Sequence, residues 1–104
     1  MSLINNLPLK RIVKMHFAID KVPQFKTLFA GVKSQIAAFE GCLYLELWGD
    51  KGNPCVFFTY SIWQSEGHLE KYRQSELFQN TWAATKILFA APPQAWSLEQ
   101  INTF

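Results

Sequence analysis

The segment from Val56 to Trp82, VFFTYSIWQSEGHLEKYRQSELFQNTW, decides the fold of this chain. Its first part alternates as a strand that is apolar on both faces, predicted over residues 55–63. Ser65 and Ser75 stand where N-caps are preferred, so they predict a short helix and then a second helix rich in aromatic residues. A buried strand followed by two helical pieces is therefore the unit on which the other elements must pack.

The residues before this segment predict a strand, a helix and a second strand. Residues 10–19 alternate between an apolar and a mixed face, which is typical of a strand. Asp20 is expected to cap the following helix and Gly41 to end it. Residues 42–48 alternate again, and the turn formers of residues 49–54 predict a hairpin into the third strand. The second and third strands should therefore pair antiparallel.

The residues after the segment complete the fold. The prolines of residues 90–93, Ala-Ala-Pro-Pro, are expected to end the last helix, and residues 94–101 fit an edge strand. We interpret residues 1–9 as a loose arm and residues 1–104 as a single domain. The order β-α-β-β-α-β, with the second helix split, predicts an α+β fold of the ferredoxin-like plan with a four-stranded antiparallel sheet.

Alternation gives the third strand two different faces. The face toward the helices carries Phe57, Thr59, Ser61 and Trp63, and the opposite face carries Val56, Phe58, Tyr60 and Ile62. The helices cover only one face of such a sheet, and leaving large apolar side chains of the other face in water forgoes about 1.5–3 kcal/mol each. We therefore expect a homodimer in which two sheets pack face to face.

Composition limits the classes of function. The 104 residues are 49% hydrophobic with a formal net charge of +2. The basic residues are scattered along the chain, which argues against nucleic-acid binding. No apolar stretch is long enough to span a bilayer, so we expect a cytoplasmic protein that does not bind membranes. Cys42 and Cys55 lack the spacing of a metal site, so we expect reduced thiols and no metal.

Five short segments carry a resemblance to a known family. They are Phe39-Glu40-Gly41-Cys42, Leu45-Glu46-Leu47, Asn53-Pro54, Tyr60-Ser61-Ile62-Trp63-Gln64-Ser65-Glu66 and Tyr72-x-x-Ser75-Glu76-Leu77-Phe78. In this order, within residues 10–101, the chain resembles the antibiotic biosynthesis monooxygenase (ABM) superfamily of dimeric α+β barrels. The resemblance implies a ligand pocket between the helices and the sheet of each subunit, lined by the helix-facing side of the third strand.

The resemblance also extends to individual positions of the family's site. Trp63 matches a pocket tryptophan of the family's cofactor-independent oxygenases, which use an Asn and a Tyr where this chain has Thr59 and Leu69. The family's haem-degrading branch uses an Asn and a haem-ligating His, and this chain has Val13 and Trp82 at those positions. The resemblance therefore excludes the haem-degrading chemistry and implies no cofactor.

The candidate site residues come from the strands and the last two helices. We assign catalytic roles to Trp63, Thr59 and Tyr72, and substrate contacts to Phe57, Phe78, Trp82, Arg73 and Met15. Many relatives hold a His where Tyr72 stands, so no residue is assigned as a general base. Two structural alternatives stay open, namely Trp63 as part of the core with its indole N–H on a backbone partner, and Arg73 in a surface ion pair.

Two functions remain for such a chain. A dry aromatic pocket suits a cofactor-independent monooxygenase that holds an aromatic or quinol-like molecule as its anion, which then reacts directly with dioxygen. His16 is the best base by chemistry, but alternation places it on the dimer face. The alternative is a non-catalytic dimeric module that binds a small apolar ligand or a protein partner. An open cavity between helices and sheet favours the enzyme, and a filled one favours the binding module.

Overall fold

A four-stranded antiparallel sheet with helices on one face forms the fold in this computed structural model, which describes residues 7–103. The strands are β1 (Leu9–Phe17), β2 (Cys42–Gly49), β3 (Val56–Trp63) and β4 (Phe89–Leu98). The α-helices are α1 (Val22–Ala37), α2 (Glu66–Arg73) and α3 (Glu76–Lys86), and a 3₁₀ turn covers Ile19–Lys21. The sheet order β2-β3-β1-β4 places β1 and β3 in the centre, which confirms the predicted ferredoxin-like plan.

The predicted N-terminal arm lies mostly outside the described residues. Of residues 1–9, the structure describes only the last three. Leu7 is exposed, and Leu9 already belongs to β1. The strand therefore begins one residue earlier than alternation indicated.

Serine caps start the two helices that follow β3. The Ser65 side chain accepts a hydrogen bond from the backbone N–H of His68, and the Ser75 side chain accepts one from that of Phe78. Each cap satisfies an N–H group that the first turn of a helix leaves without an intrahelical partner. Both predicted caps are thus confirmed. Among the helices of residues 7–103, none is long and apolar enough to cross a membrane.

The two ends of α1 differ from the sequence prediction. Asp20 lies inside the 3₁₀ turn, and Lys21, which precedes the helix, makes no side-chain capping bond. The helix ends at Ala37, and Gly41 follows after a further turn with a φ of 88°, a conformation that favours glycine. The predictions that Asp20 caps α1 and that Gly41 directly ends it were wrong, because the chain inserts a turn at each end.

Pro92 and Pro93 lie inside β4, whereas α3 already ends at Lys86. The prediction that residues 90–93 end the helix was therefore wrong. The edge strand predicted over residues 94–101 is confirmed for residues 94–98, but it begins at Phe89 and ends at Leu98. β4 pairs with β1 alone, and its pairing register shifts near the two prolines. An irregular edge strand tolerates proline because part of its N–H groups face no neighbouring strand.

The helix-facing side of the sheet, which we call the inner sheet face, holds a core in two parts. One cluster contains Met15, Phe17, Val22, Phe25, Phe57 and Leu88. The second cluster contains Ile36, Trp63, Leu69 and Tyr72. The buried residues that β3 supplies to these clusters have the parity predicted for the inner face, so the division of β3 into two faces is confirmed on that side.

The opposite side, which we call the outer sheet face, carries many large apolar side chains and is not covered by any helix of the described residues. Its half-buried and exposed side chains include Tyr44, Trp48, Phe58, Tyr60, Ile62, Trp96 and Leu98. Trp48 stacks on Tyr60 with ring centroids 4.9 Å apart. Lys10 Nζ donates a hydrogen bond to the Tyr60 hydroxyl over 3.1 Å. Apart from Val56, which is 7% exposed, most of this face is open to water in a single chain.

Candidate functional site

A cavity of about 430 Å³ lies between the helices and the inner sheet face. Its volume falls in the range of about 300–1,000 Å³ that is typical of small-molecule sites. Strands β1 and β3 form its floor, and α2 and α3 supply most of its remaining wall. Its surface is mainly apolar, with a few hydroxyl, amide and guanidinium groups. The helix/sheet interface therefore contains an open cavity, which is the arrangement that favours the enzyme hypothesis.

The cavity brings together seven of the eight residues that the sequence singled out. These are Met15, Thr59, Trp63, Tyr72, Arg73, Phe78 and Trp82. They come from both central strands and from two helices, so the chain has to fold before they meet. Their chemical roles stay predictions, whereas their shared location is a property of the structure.

Phe57 is the predicted substrate contact that does not line the cavity. Its parity places it on the inner sheet face as expected, and it is 8% exposed. The Phe25 ring on α1 covers it with ring centroids 5.3 Å apart, and Phe17 packs beside it at 6.0 Å. Phe57 is therefore a core residue, because α1 crosses the sheet at its level.

Trp63 forms the deepest part of the cavity wall. It is 1% exposed, and its ring stacks on that of Tyr72 with centroids 4.9 Å apart. Its indole N–H donates a hydrogen bond to Ser61 Oγ over 3.0 Å, so the partner is a side chain and not the expected backbone group. A buried N–H needs such a partner. Trp63 therefore serves the core and the cavity at the same time.

Tyr72 sits among three aromatic rings. It stacks on Trp63 and meets Phe39 and Phe78 edge to face at 5.3 and 5.2 Å. Burial raises the pKa of Tyr72 to about 12, with a smaller contribution from Cys42. The phenol is therefore protonated at neutral pH. It is able to donate a hydrogen bond to a ligand, but it does not provide a base.

Phe78 and Trp82 form an aromatic wall on α3. Their rings are nearly parallel, with an interplanar angle of 10° and centroids 5.8 Å apart, and Trp82 meets Phe89 of β4 at 5.6 Å. Both side chains are half-buried. Their spacing of four residues places them one helical turn apart on one face. This side of the cavity is therefore lined by aromatic rings.

Arg11 and Arg73 lie on the solvent side of the cavity. Arg11 Nη1 donates to Ser97 Oγ over 2.8 Å, and Arg73 Nη1 is 3.4 Å from Glu70 Oε1 in an exposed ion pair. Burial lowers the pKa of Arg11, the charge of Arg73 lowers it further, and Glu70 acts in the opposite direction. The ion pair foreseen for Arg73 thus exists, in addition to its place in the cavity.

Sequence reasoning missed Arg11 as a cavity residue, and it placed Ser61 on the pocket-lining face of β3 without assigning it a role. Arg11 has the same parity on β1 as Val13 and Met15, so extending the alternation by one step would have found it. Ser61 has the parity of Thr59 and Trp63. The missed glutamine and threonine residues of the cavity, Gln79, Thr81, Thr85 and Gln94, gave no comparable signal, because polar residues on helices and edge strands are common.

Both histidines lie away from the cavity. His16 pairs with Val56 on the outer sheet face, as alternation predicted. His68 is half-buried, and its Nδ1 is 2.6 Å from Ser65 Oγ. The ionisable residues among those that line the cavity are Arg11, Tyr72 and Arg73. Within residues 7–103, no three His, Cys, Asp or Glu side chains converge to hold a metal ion.

The chain matches the model of one protein family. The family is described as antibiotic biosynthesis monooxygenase, and the match covers residues 8–84, about three quarters of the chain. The matched segment contains β1, β2, β3, α1, α2 and most of α3, and therefore most of the cavity. No curated protein matches the chain.

Solved structures with the same fold are numerous. A conserved protein of Methanosarcina mazei Go1 aligns with a TM-score of 0.85 at 17% identity, covering 94% of this chain and 97% of that one. A protein of Nitrosomonas europaea, provisionally assigned as an antibiotic biosynthesis monooxygenase, aligns at 0.86 and 14% identity over 92% of each chain. One of Caulobacter crescentus CB15 with the same provisional assignment aligns at 0.85 and 17% identity over 97% of each chain. At these identities the likeness concerns the fold.

Proposed function

This chain belongs to the antibiotic biosynthesis monooxygenase family, and on that premise we propose that it oxidises an aromatic or quinol-like small molecule with dioxygen and without a cofactor. The observation that carries the proposal is the aromatic-walled cavity of about 430 Å³ inside the matched domain. A cavity of this kind holds a flat organic molecule away from bulk water. Substrate contacts from Trp63, Phe78 and Trp82 are part of the proposal.

The reaction needs no external reductant. A phenol with a free ring C–H reacts with one dioxygen molecule to give a quinone and one water. One oxygen atom becomes the new carbonyl oxygen, and the other leaves as water with the two hydrogen atoms that the substrate loses. The substrate supplies all the electrons, so the protein has to hold it in a fixed orientation and exclude water.

Hydroxyl groups orient the substrate in this proposal. Thr59 and Ser61 face the cavity from β3, and Tyr72 faces it from α2. Because Tyr72 has a pKa of about 12, it acts as a donor to a substrate oxygen and not as a base. Arginine also does not accept a proton near neutral pH. The substrate hydroxyl therefore loses its proton to water, and activity should follow the substrate's own pKa.

Dioxygen uptake tests the proposal. Purified protein is mixed with a panel of phenols and quinols in an oxygen electrode, and uptake above the uncatalysed rate is expected for those that ionise near neutral pH. Tyr72→Phe keeps the ring and removes the hydroxyl. It should lower kcat about tenfold, because a tenfold change in rate corresponds to the free energy of about one hydrogen bond. Tyr44→Phe, on the outer sheet face, is the matched control and should leave kcat unchanged.

Two results would contradict the proposal separately. Uptake no faster than background across the whole panel removes the oxygenase activity. A wild-type kcat in a folded Tyr72→Phe protein, with folding checked by circular dichroism, removes the role of Tyr72 alone.

A non-catalytic binding module is the second candidate function. Its supporting observation is the set of groups in the cavity, which offers donors but no base, with Thr59 and Leu69 at the positions where the resemblance led us to expect Asn and Tyr. Such a cavity binds an apolar ligand without changing it. Calorimetric binding of aromatic molecules together with zero dioxygen uptake is the result that favours this candidate over the enzyme.

We also propose that a second copy of the chain covers the outer sheet face. The support is the exposure of large apolar groups there, Trp48, Trp96 and Leu98 being 41%, 42% and 44% exposed. Burying such side chains contributes about 1.5–3 kcal/mol each. Packing of two sheets about a two-fold axis uses the same apolar surface twice.

A further inference from the structure

Two guanidinium groups, those of Arg11 and Arg73, line the same cavity. Arg11 projects from β1 and Arg73 stands at the end of α2, far apart in sequence, and both line the cavity. They are the charged side chains among the residues that line the cavity, and those lining residues include no carboxylate. The fold therefore brings like charges together, which is unfavourable unless an anion is bound between them.

The negative charge on this side does not match the positive charge. Glu70 is not among the residues that line the cavity, and its Oε1 is 3.4 Å from Arg73 Nη1 in an exposed ion pair. Its other oxygen accepts a hydrogen bond from Gln74 Nε2 over 3.0 Å. Arg11 donates to a neutral hydroxyl, that of Ser97. Within the described residues, the hydrogen bonds and ion pairs of the two arginine side chains thus include a single carboxylate, that of Glu70.

The position of Arg11 makes the imbalance costly. Arg11 is half-buried, whereas the Arg73 side chain is 48% exposed. A partly desolvated charge is stabilised by an opposite charge more than an exposed one is. A guanidinium has five N–H donors in a planar fork, a shape that fits the two oxygens of a carboxylate. An anion that reaches Arg11 from inside the cavity would complete this arrangement.

We propose that Arg11 and Arg73 together bind a carboxylate group of the cavity's ligand, whose aromatic part lies against Phe78 and Trp82. The inference rests on the proposed function in placing the ligand in the same cavity, and it adds the chemical class of the molecule, an aromatic carboxylic acid. The apolar wall recognises the ring, and the two arginines fix its orientation. A neutral molecule of the same shape contacts the apolar wall but forms no ion pair with the arginines.

Calorimetry with a matched pair of probes tests the carboxylate subsite. Naphthoate and naphthamide have nearly the same shape and differ in charge. The wild-type protein should bind naphthoate about 10- to 100-fold more tightly, since hydrogen bonds to charged groups contribute about 1.5–3 kcal/mol. Arg11→Gln and Arg73→Gln should each reduce this preference about tenfold and leave naphthamide binding unchanged. The preference should also fall as salt is added.

The controls remove the same charge elsewhere on the same elements. Lys14 lies on β1 and faces the outer sheet face, and Lys71 lies on α2 in an exposed ion pair with Glu40. The control variants are Lys14→Gln and Lys71→Gln. Both should keep the wild-type preference. Circular dichroism checks that each variant folds. Arg73 is the more exposed of the two arginines, so its variant carries the test if Arg11→Gln does not fold.

Three results overturn the carboxylate subsite, namely equal binding of the two probes, no binding of naphthoate, and a preference that survives in both folded arginine variants. The test of the carboxylate subsite and the test of oxygenase activity have separate outcomes. Dioxygen uptake with neutral quinols and no carboxylate preference keeps the proposed function and removes the subsite. A carboxylate preference that depends on the arginines, with no dioxygen uptake for any phenol, keeps the subsite and removes the proposed oxygenase function.

Discussion

The indole N–H of Trp63 donates to Ser61 Oγ over 3.0 Å, and both residues are buried on the inner sheet face of β3. The bond satisfies the polar group of the most deeply buried side chain of the cavity wall. A hydroxyl that accepts one hydrogen bond still has its own hydrogen to donate. Ser61, which lines the cavity, therefore keeps a hydrogen-bond donor in addition to the bond that it accepts from Trp63.

Replacing Ser61 by alanine should lower the free energy of unfolding by about 1–3 kcal/mol, because it leaves a buried N–H without a partner. Urea denaturation measures the change. Ser34→Ala, at an exposed position on α1, is the control and should change stability little. In a Trp63→Phe background the indole N–H is absent, so the cost of Ser61→Ala should shrink. An equal cost in both backgrounds would mean that the hydrogen bond does not stabilise the fold.

The raised pKa of Tyr72 predicts a loss of stability at high pH. Its pKa is about 12 in the folded chain and about 10 when unfolded, so the stabilisation is complete below pH 10 and is lost as the pH rises to 12. Two pKa units correspond to roughly 2–3 kcal/mol. Denaturation of the wild type and of Tyr72→Phe at several pH values between these limits should show a clearly larger loss in the wild type.

Tyr44→Phe provides the comparison for this pH effect. Tyr44 is exposed, and its hydrogen bond to Glu46 raises its pKa in a solvent-screened setting. The variant should therefore lose stability with pH much as the wild type does. Parallel pH curves for the wild type and Tyr72→Phe would show that the Tyr72 phenol is not desolvated as the structure indicates.

Gly41→Ala should destabilise the fold by about 2–4 kcal/mol, because it combines an unfavourable φ of 88° with a steric clash. An added Cβ would lie 2.4 Å from the His68 ring. Gly31→Ala on α1 is the control, since nothing lies within 4 Å of its Cβ, and it should stabilise by about 0.5–1 kcal/mol. The His68 Cβ would also lie 2.5 Å from the added atom, so His68→Gly is the change that removes the clash. Compared with His68→Gly alone, the double variant His68→Gly/Gly41→Ala should show a smaller loss, and an unchanged loss would place the whole cost in the backbone.

Phe58→Glu should convert the proposed homodimer into monomers. It places a charge in the centre of the outer sheet face, where burial without a partner is costly. Size-exclusion chromatography with light scattering at micromolar concentration measures the mass. Thr27→Glu, at an exposed position on α1, should leave the mass unchanged. A wild-type protein that is monomeric under these conditions would remove the dimer proposal, whatever the variant does.

Alternation along the strands was the most reliable source of prediction. It placed Met15, Thr59 and Trp63 on the inner sheet face and His16 on the outer one, because side chains of a strand alternate strictly. Seven of the eight candidate residues therefore line the cavity. Phe57 does not line the cavity. Alternation predicts which face of the sheet a side chain lies on, but it does not predict where α1 crosses that face and covers it.

The element ends were the least predictable part of the fold. Asp20 has a strong local preference for a helix cap, and Pro92 has one for the end of a helix. In the folded chain Asp20 lies in a 3₁₀ turn and Pro92 lies in a strand. A 3₁₀ turn takes the place of the cap, and pairing with β1 holds the proline in a strand. Local preferences of this size are outweighed when burial of the remaining element requires a different boundary.

The prolines of β4 also limit how the sheet is able to grow. β4 is an edge of the sheet, and an exposed edge is a template on which a further strand is able to dock. Pro92 and Pro93 have no amide hydrogen to offer to such a strand, and the shifted register nearby disturbs the remaining ladder. Open-ended polymerisation by strand addition at this edge is therefore disfavoured.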